Sequence, residues 1–289
     1  MALNTGYNEF IPKLWSSRLL QHFDNSLVAL NLVNREYEGE ISAYGDTVYI
    51  NQIGDVTIKE YTGADIDGPE ELSSVQQTLK IDKGRYFNFQ VKDVAKAQAN
   101  VNLIDSATQR ASYQMANEVD KEILTSMADG AKTKVGTQST PIEVTPENAY
   151  DLLVDLAVKM NEGNIPLGNR KVVLPPWFLG MLAKDKRFTS QVSVLQNGVV
   201  EGAQISGLQL LQSNNLKGTA SYTAIVAGVP EATAFANQVV ETEAYRPERN
   251  FSDAVKGLQI YGSAVIRPEA LAVLNVKPKP AEAEEPAGE

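Results

Sequence analysis

The side chains best able to do chemistry in this 289-residue chain are few, and their settings do not suit catalysis. It has one histidine, His22, and no cysteine. Without cysteine there are no thiolate zinc sites, iron–sulfur clusters, disulfide scaffolds or cysteine nucleophiles. A single histidine leaves no multi-histidine metal site and only one base for a Ser-His-Asp triad. His22 stands in an apolar helical segment beside Phe23 and Asp24, where a lone imidazole packs or faces solvent. The acidic pairs Glu70-Glu71, Glu241/Glu243 and Glu284-Glu285 are the carboxylates that hydrolysis of a glycoside would require. They lie in turn-like or tail sequence and read as solvated charge. Asp65 and Asp67 have the oxygen ligands calcium prefers, but the twelve-residue loop pattern is missing. Lys184, Lys186 and Arg187, followed by Phe188, could stack on bases; in a chain of net charge −10 they read as a solvated helix end. No G-x-G-x-x-G opening a helix, G-x-x-x-x-G-K-[ST], H-E-x-x-H or G-x-S-x-G is present. The residues therefore predict no catalytic, cofactor-binding or metal site, and no enzyme.

Composition narrows the class further. Twenty-six basic against 36 acidic residues oppose tight, sequence-independent nucleic-acid binding, which depends on clustered Lys and Arg releasing counterions. The length accommodates one large domain or two ordinary ones with a true core. No run of 18 apolar residues exists, so no membrane span is expected. The start, MALNTGYNEFIPKLW, lacks a basic segment followed by an apolar block, so a secretory signal is not expected and a cytoplasmic setting is.

The elements that must do the work are unusual in order and exposure. Phe10, Ile11, Leu14, Trp15, Leu19 and Leu20 form a helical stripe from about Pro12, and Leu27, Val28, Leu30, Leu32 and Val33 a second apolar group. These are either a helical hairpin in the core or an arm buried only against another subunit. Val48 and Ile50, Val56 and Ile58, Leu79 and Ile81, then Tyr86–Val91 alternate at period two around an acidic, turn-rich tip at 61–71. This reads as a long protruding hairpin, and a two-stranded ribbon is marginal in water unless its apolar face is covered. Residues 94–127 carry the longest helical pattern, either a spine about 50 Å long if unbroken or a short helix followed by a long one if Asn100 and Asn102 interrupt it. A helix capped by Thr145 with Pro146 at its first position, strands at 171–174, 205–211 and 224–229, and a helix opened by Pro176 predict an α/β unit over 141–238. Strands return after Val239, and 277–289 is a Pro/Ala/Glu tail expected to be disordered.

The strings Phe10-Ile11-Pro12-Lys13-Leu14-Trp15, Leu32-Val33-Asn34-Arg35-Glu36-Tyr37-Glu38-Gly39, Gly45-Asp46-Thr47-Val48-Tyr49-Ile50, Gln76-Gln77-Thr78-Leu79-Lys80-Ile81 and Tyr261-Gly262-Ser263-Ala264-Val265-Ile266-Arg267-Pro268 together resemble tailed-bacteriophage major capsid proteins. That family shares its fold with encapsulin nanocompartments. The resemblance implies an α+β tailed-phage capsid fold. Its parts would be an N-arm (1–43), an extended hairpin loop (44–92), a peripheral domain with the spine helix (93–140 and 240–276), an axial domain (141–239) and a tail (277–289). It implies self-assembly as hexamers and pentamers into an icosahedral or prolate shell in the virion, put together in the host bacterial cytoplasm. Implied partners are scaffolding and portal proteins, with packaged double-stranded DNA touched only weakly and non-specifically. The expected inter-subunit contacts are Phe10, Ile11, Leu14, Trp15, Leu19, Tyr61, Ile66 and Leu72. An encapsulin-like cargo shell is the nearest alternative, and a carboxylate-based hydrolase the remote one.

Overall fold

The computed structural model describes residues 27–38, 44–53, 74–92, 103–189, 204–248 and 251–279, with single positions 57, 58, 60, 68 and 71. Two sheets and one long helix organise them. The helix, α1 (Leu103–Gly130), is the spine that the sequence pattern predicts, and it is about 42 Å long at 1.5 Å per residue. The expected stretch before Leu103 lies outside the described residues.

A three-stranded antiparallel sheet sits against α1, in the order β11 (Thr233–Tyr245), β12 (Ser252–Val265), β3 (Lys83–Lys92). Sequence alternation places 86–91 in the protruding hairpin. In the structure Lys83 pairs with Tyr261 and Lys92 with Ser252, so the whole of β3 belongs to this sheet. The period-two signal marks a strand but not its partner, and only the tertiary pairing settles that.

The hairpin itself is β1 (Thr47–Ile53) against β2 (Ser74–Lys80), in register from Thr47↔Lys80 to Ile53↔Ser74. Its base is not a bare ribbon. Val48, Ile50, Leu79 and Ile81 are buried with Ala234, Ala236, Ile260 and Ile266 of the sheet, on the face opposite α1. Gly262 makes this approach possible: a Cβ there would lie 2.2 Å from the Lys80 carbonyl oxygen. The N-terminal apolar group behaves alike. Leu27, Ala29, Leu32 and Val33 are buried in the chain's own main core around a 3-10 turn (Ala29–Leu32), and Asn34 bridges to Ala234. Residues 27–38 therefore belong to the body of the subunit rather than to an arm.

The second sheet is mixed and has eight strands: β4 (Thr133–Val135), β13 (Leu271–Pro278), β10 (Tyr222–Gly228), β6 (Lys171–Leu174), β8 (Leu208–Gln212) and β7 (Gln204–Ile205) in that order, with β5 (Ile142–Val144) also on β13 and β9 (Gly218–Thr219) on β10. Helix α2 (Ala149–Glu162) buries Leu153, Leu156, Ala157 and Met160 in the main core, and α3 (Pro176–Leu182) buries Phe178, Leu179 and Leu182. A short α4 (Lys186–Thr189) follows. The sequence order predicts that the last strand returns to the spine's sheet. It runs instead as β13 beside β10, almost wholly buried, and takes Lys277 and Pro278 out of the expected tail.

Three local expectations change for local reasons. α2 starts after Asn148, because Thr145 closes a turn in which the Asn148 carboxamide oxygen accepts the Thr145 N–H at 2.8 Å. The expected strand 205–211 folds into a hairpin at Ser206-Gly207, both at positive φ (48° and 83°), the pairing of signs that matches strand twist in a two-residue turn. The α2–β6 connection is fastened by buried Arg170, which donates to Pro166 O (2.7 Å), to the Asn161 carboxamide oxygen (2.6 Å) and to Ile165 O.

Gly262→Val should push the hairpin base off the sheet and cost about 1–3 kcal/mol or more, the range for overpacking. Gly168→Ala, which meets no atom within 4 Å, is the control. Urea unfolding should separate the two variants; equal midpoints would show that the base does not depend on this contact.

Candidate assembly surface

Two carboxylates two positions apart on α1 fix the elements that reach toward the surface. Asp120 is fully buried. Its Oδ1 accepts the backbone N–H of Ala29 at 2.7 Å, and its Oδ2 accepts the Ser213 hydroxyl at 3.1 Å and the Asn215 carboxamide at 3.0 Å. One side chain thus ties the N-terminal segment and the β8–β9 connection to the spine, with hydrogen bonds to a charged group worth more than neutral ones.

Glu122 sits under the start of β3. Lys83 Nζ lies 2.6 Å from Oε1, Arg85 Nη2 lies 3.6 Å from Oε2, and the Tyr261 hydroxyl donates to Oε2. Burial works to raise the carboxyl's pKa, but the Lys83 and Tyr261 hydrogen bonds and the two cations outweigh it and hold the group below its ordinary value. The Tyr261 phenol moves the other way, pushed up by burial and then by its bond to Glu122. Since β3 begins two residues after the hairpin ends at Lys80–Ile81, this cluster sets how the hairpin leaves the body. Tyr44 adds a second fastening by donating to the Asp82 carbonyl at 2.8 Å.

The face of the three-stranded sheet turned away from α1 is buried beneath the hairpin base and again at the far end of β12, at Ala254 and Ser252, with an exposed stretch between. The hairpin base lies over Ile260 and Gly262. Farther back on the same face Tyr86 (78% exposed) and Leu258 (40% exposed) face solvent. They line a mostly apolar groove of about 320 Å³ with Phe87, Asn88, Glu243, Lys256 and Gly257. Phe87 lies against Gly257 across the strand pair, so close that a Cβ on Gly257 would fall 2.4 Å from its ring. Among the described residues no backbone hydrogen bond joins the outer edge of β3 to another segment.

The residues expected at subunit contacts, Phe10, Ile11, Leu14, Trp15, Leu19, Tyr61, Ile66 and Leu72, all lie outside the described residues, as do His22, Asp65, Asp67, Glu70, Glu284 and Glu285. Glu243 is engaged by Lys256 at 2.6 Å. The basic patch is a structural tie: Arg187 pairs with Asp151 (2.6 Å) and Asp185 (2.8 Å) and lies over the Tyr150 ring, while Phe188 is buried. Among the described residues no helix is long and apolar enough to cross a membrane, and no cluster of acidic or histidine side chains could hold a metal. The sequence does not announce the groove, because Tyr86 and Leu258 are 172 positions apart and become neighbours only through the β3–β12 register.

A spine helix, a hairpin seated on one face of a three-stranded sheet and a separate mixed α/β sheet define a capsid-shell subunit, and solved structures agree. A chain from Mycobacterium phage Che8 superposes with a TM-score of 0.71 at 28% identity, over 86% of this chain and 90% of that one. The capsid of Ralstonia phage GP4 (TM-score 0.66, 12% identity, 92% of each chain) and a virus-like particle from Pyrococcus furiosus (0.59, 15%, 93% of this chain and 100% of that one) share the fold. The phage capsid protein family model matches residues 74–274, and the chain belongs to that family. It is a structural protein that self-assembles into a capsid shell and is a component of the virion. No curated protein matches it in sequence.

Asp120→Ala should lower stability by about 3 kcal/mol, or roughly 6–12 °C in Tm, since it strands buried donors on two segments; a shift below about 2 °C would show that neither segment depends on it. Because the Glu122 carboxyl is held below its ordinary value, its stabilisation is complete above the normal glutamate range and is lost as pH falls through the lowered pKa. Glu122→Gln should therefore flatten stability against pH on the acid side, while unchanged acid dependence would show that another group sets it.

Proposed function

We propose that this chain is the major shell subunit of a tailed-phage head, assembling as hexamers and pentamers around double-stranded DNA in the host bacterial cytoplasm. The observation that carries this reading is the partly covered sheet face: one end holds the chain's own hairpin base, and beyond it Tyr86 and Leu258 are exposed. Covering apolar surface is worth about 25 cal/mol per Å². Ordering the covering segment costs entropy, so single contacts stay weak while the closed shell is stable. Repeated heterologous contacts avoid open edges by closing into rings and shells.

In this reading α1 and the β11–β12–β3 sheet form the peripheral part. The eight-stranded sheet with α2 and α3 forms the axial part and includes the last strand, β13, although it follows the peripheral strands in sequence. The arm is confined to the residues before Leu27. Phe10, Ile11, Leu14, Trp15 and Leu19 are its contacts, and Tyr61, Ile66 and Leu72 those of the hairpin tip. The net charge of −10 keeps DNA from adhering to the inner wall. Scaffolding and portal proteins complete the set of partners.

The expressed chain should sediment as closed particles of megadalton size, seen directly by negative-stain microscopy. A compact monomer or dimer would sink the reading, and protein cargo in place of DNA in shells from infected cells would favour a cargo compartment. Trp15→Ala should give soluble monomers or small oligomers with an unchanged far-UV spectrum; unfolding of the subunit would place Trp15 in the core instead. Protease should cut between Thr62 and Ser74 in free subunits and spare that stretch in shells.

A further inference from the structure

We propose that Lys256 and Asn88 of one and the same copy become joined by an isopeptide bond, with Glu243 moving the protons, once shell assembly covers the groove; the trigger rests on the shell reading above.

The strand register puts three side chains in one row. Lys256 on the middle strand is directly opposite Glu243 on β11 and Asn88 on β3, and all three line the groove. Residues directly opposite on one face have Cβ atoms about 4.5–5.5 Å apart, within reach of a lysine stem. Lys256 Nζ lies 2.6 Å from Glu243 Oε2. The Tyr245 hydroxyl donates to Asn88 Oδ1 at 3.1 Å, and the same ring lies 5.4 Å from Lys256 Nζ, so one tyrosine meets both the carboxamide and the amine. The row therefore holds an amine, a carboxylate able to take its proton, a carboxamide carbon and a hydroxyl donor on that carboxamide's oxygen. An amide transfer requires these parts.

In the free subunit Lys256 and Glu243 are each about half exposed, and an ammonium has no lone pair with which to attack. A cover laid over Tyr86, Phe87 and Leu258 takes water away from the ion pair. Charges in apolar surroundings are costly, and moving one proton along the 2.6 Å contact leaves a neutral amine beside a neutral acid. The amine nitrogen then attacks Asn88 Cγ, and the Tyr245 hydroxyl meets the negative charge that develops on Oδ1. As the intermediate collapses, the Cγ–Nδ2 bond breaks. Glu243 gives its proton to the departing nitrogen and takes one from the Lys256 nitrogen, so ammonia leaves and an Nζ–Cγ amide remains. The exchange consumes no oxidant, nucleotide or metal. It fastens β3, the strand at the hairpin's root, to the middle strand of its sheet.

Mass spectrometry reads the bond. Subunits released from shells by denaturant should be about 17 Da lighter than free subunits, the mass of one ammonia. After trypsin, the peptide 86–92 should appear joined to 250–289, which stays uncut at Lys256. Lys256→Arg keeps a cation beside Glu243 and should abolish the joined peptide. Glu243→Gln should slow its appearance in shells roughly a hundredfold, the loss expected for a proton-transfer group. Shell subunits of unchanged mass would overturn the bond and leave the shell reading intact. So would the same mass loss without a joined peptide, the mark of a succinimide at an asparagine. Equal yield of the joined peptide in free subunits would overturn the trigger alone, and an unsubstituted chain that forms no particles would overturn the shell reading and the trigger with it.

Discussion

The three-stranded sheet packs one face on α1 and the other only in part on the hairpin base. Tyr261 and Phe235 belong to the main core with α1, and Ile260, Ala234 and Ala236 pack on the hairpin base, beyond which Tyr86 and Leu258 are exposed. The hairpin's apolar alternation at Val48, Ile50, Leu79 and Ile81 is spent on anchoring its base, so its outward reach is built on a fixed footing rather than on a free ribbon. Farther along the same face Tyr86 and Leu258 stay exposed.

The footing is held by polar contacts as much as by packing. Glu122 gathers Lys83, Arg85 and Tyr261 where β3 starts, and Asp120, two positions earlier, binds the backbone at Ala29 and the side chains of Ser213 and Asn215. Asp120 is fully buried, and a buried polar tie of this kind contributes little net stability against an apolar substitute but penalises any arrangement that breaks it, whereas Glu122 and its partners are partly exposed. They define one geometry among several that hydrophobic contact alone would allow. Not every polar group on the sheet is matched: Gln259 donates to Asn237 at 2.7 Å, yet its own carboxamide oxygen and the Ser263 hydroxyl are buried with no partner among the described residues. Each such group costs about 1–3 kcal/mol.

Much of the fold is legible in the amino-acid pattern, because helix and strand periods are local. The spine, α2, the Pro176 helix, β6 and β10 all appear near their expected positions. What is not legible is pairing. Residues 86–91 alternate as any half-buried strand does, and nothing local says that their partner is 252–261 rather than the hairpin. Leu271–Val276 likewise reads as a strand, but its place beside β10 comes from the chain crossing between sheets. The apolar group at 27–33 is equally compatible with an arm or a core, and the Asp120 contact to Ala29 decides for the core. The groove escapes notice for the same reason: neither Tyr86 nor Leu258 is unusual alone.

If sister copies cover the exposed stretch of this sheet in the shell, amide hydrogen exchange will differ between free subunits and assembled particles. Protection should rise at least about tenfold across Lys83–Lys92 on assembly, while Val172–Leu174, already in the middle of the other sheet, should hardly change. Equal exchange along β3 in both states would mean that this face stays open in the shell, and would contradict the claim.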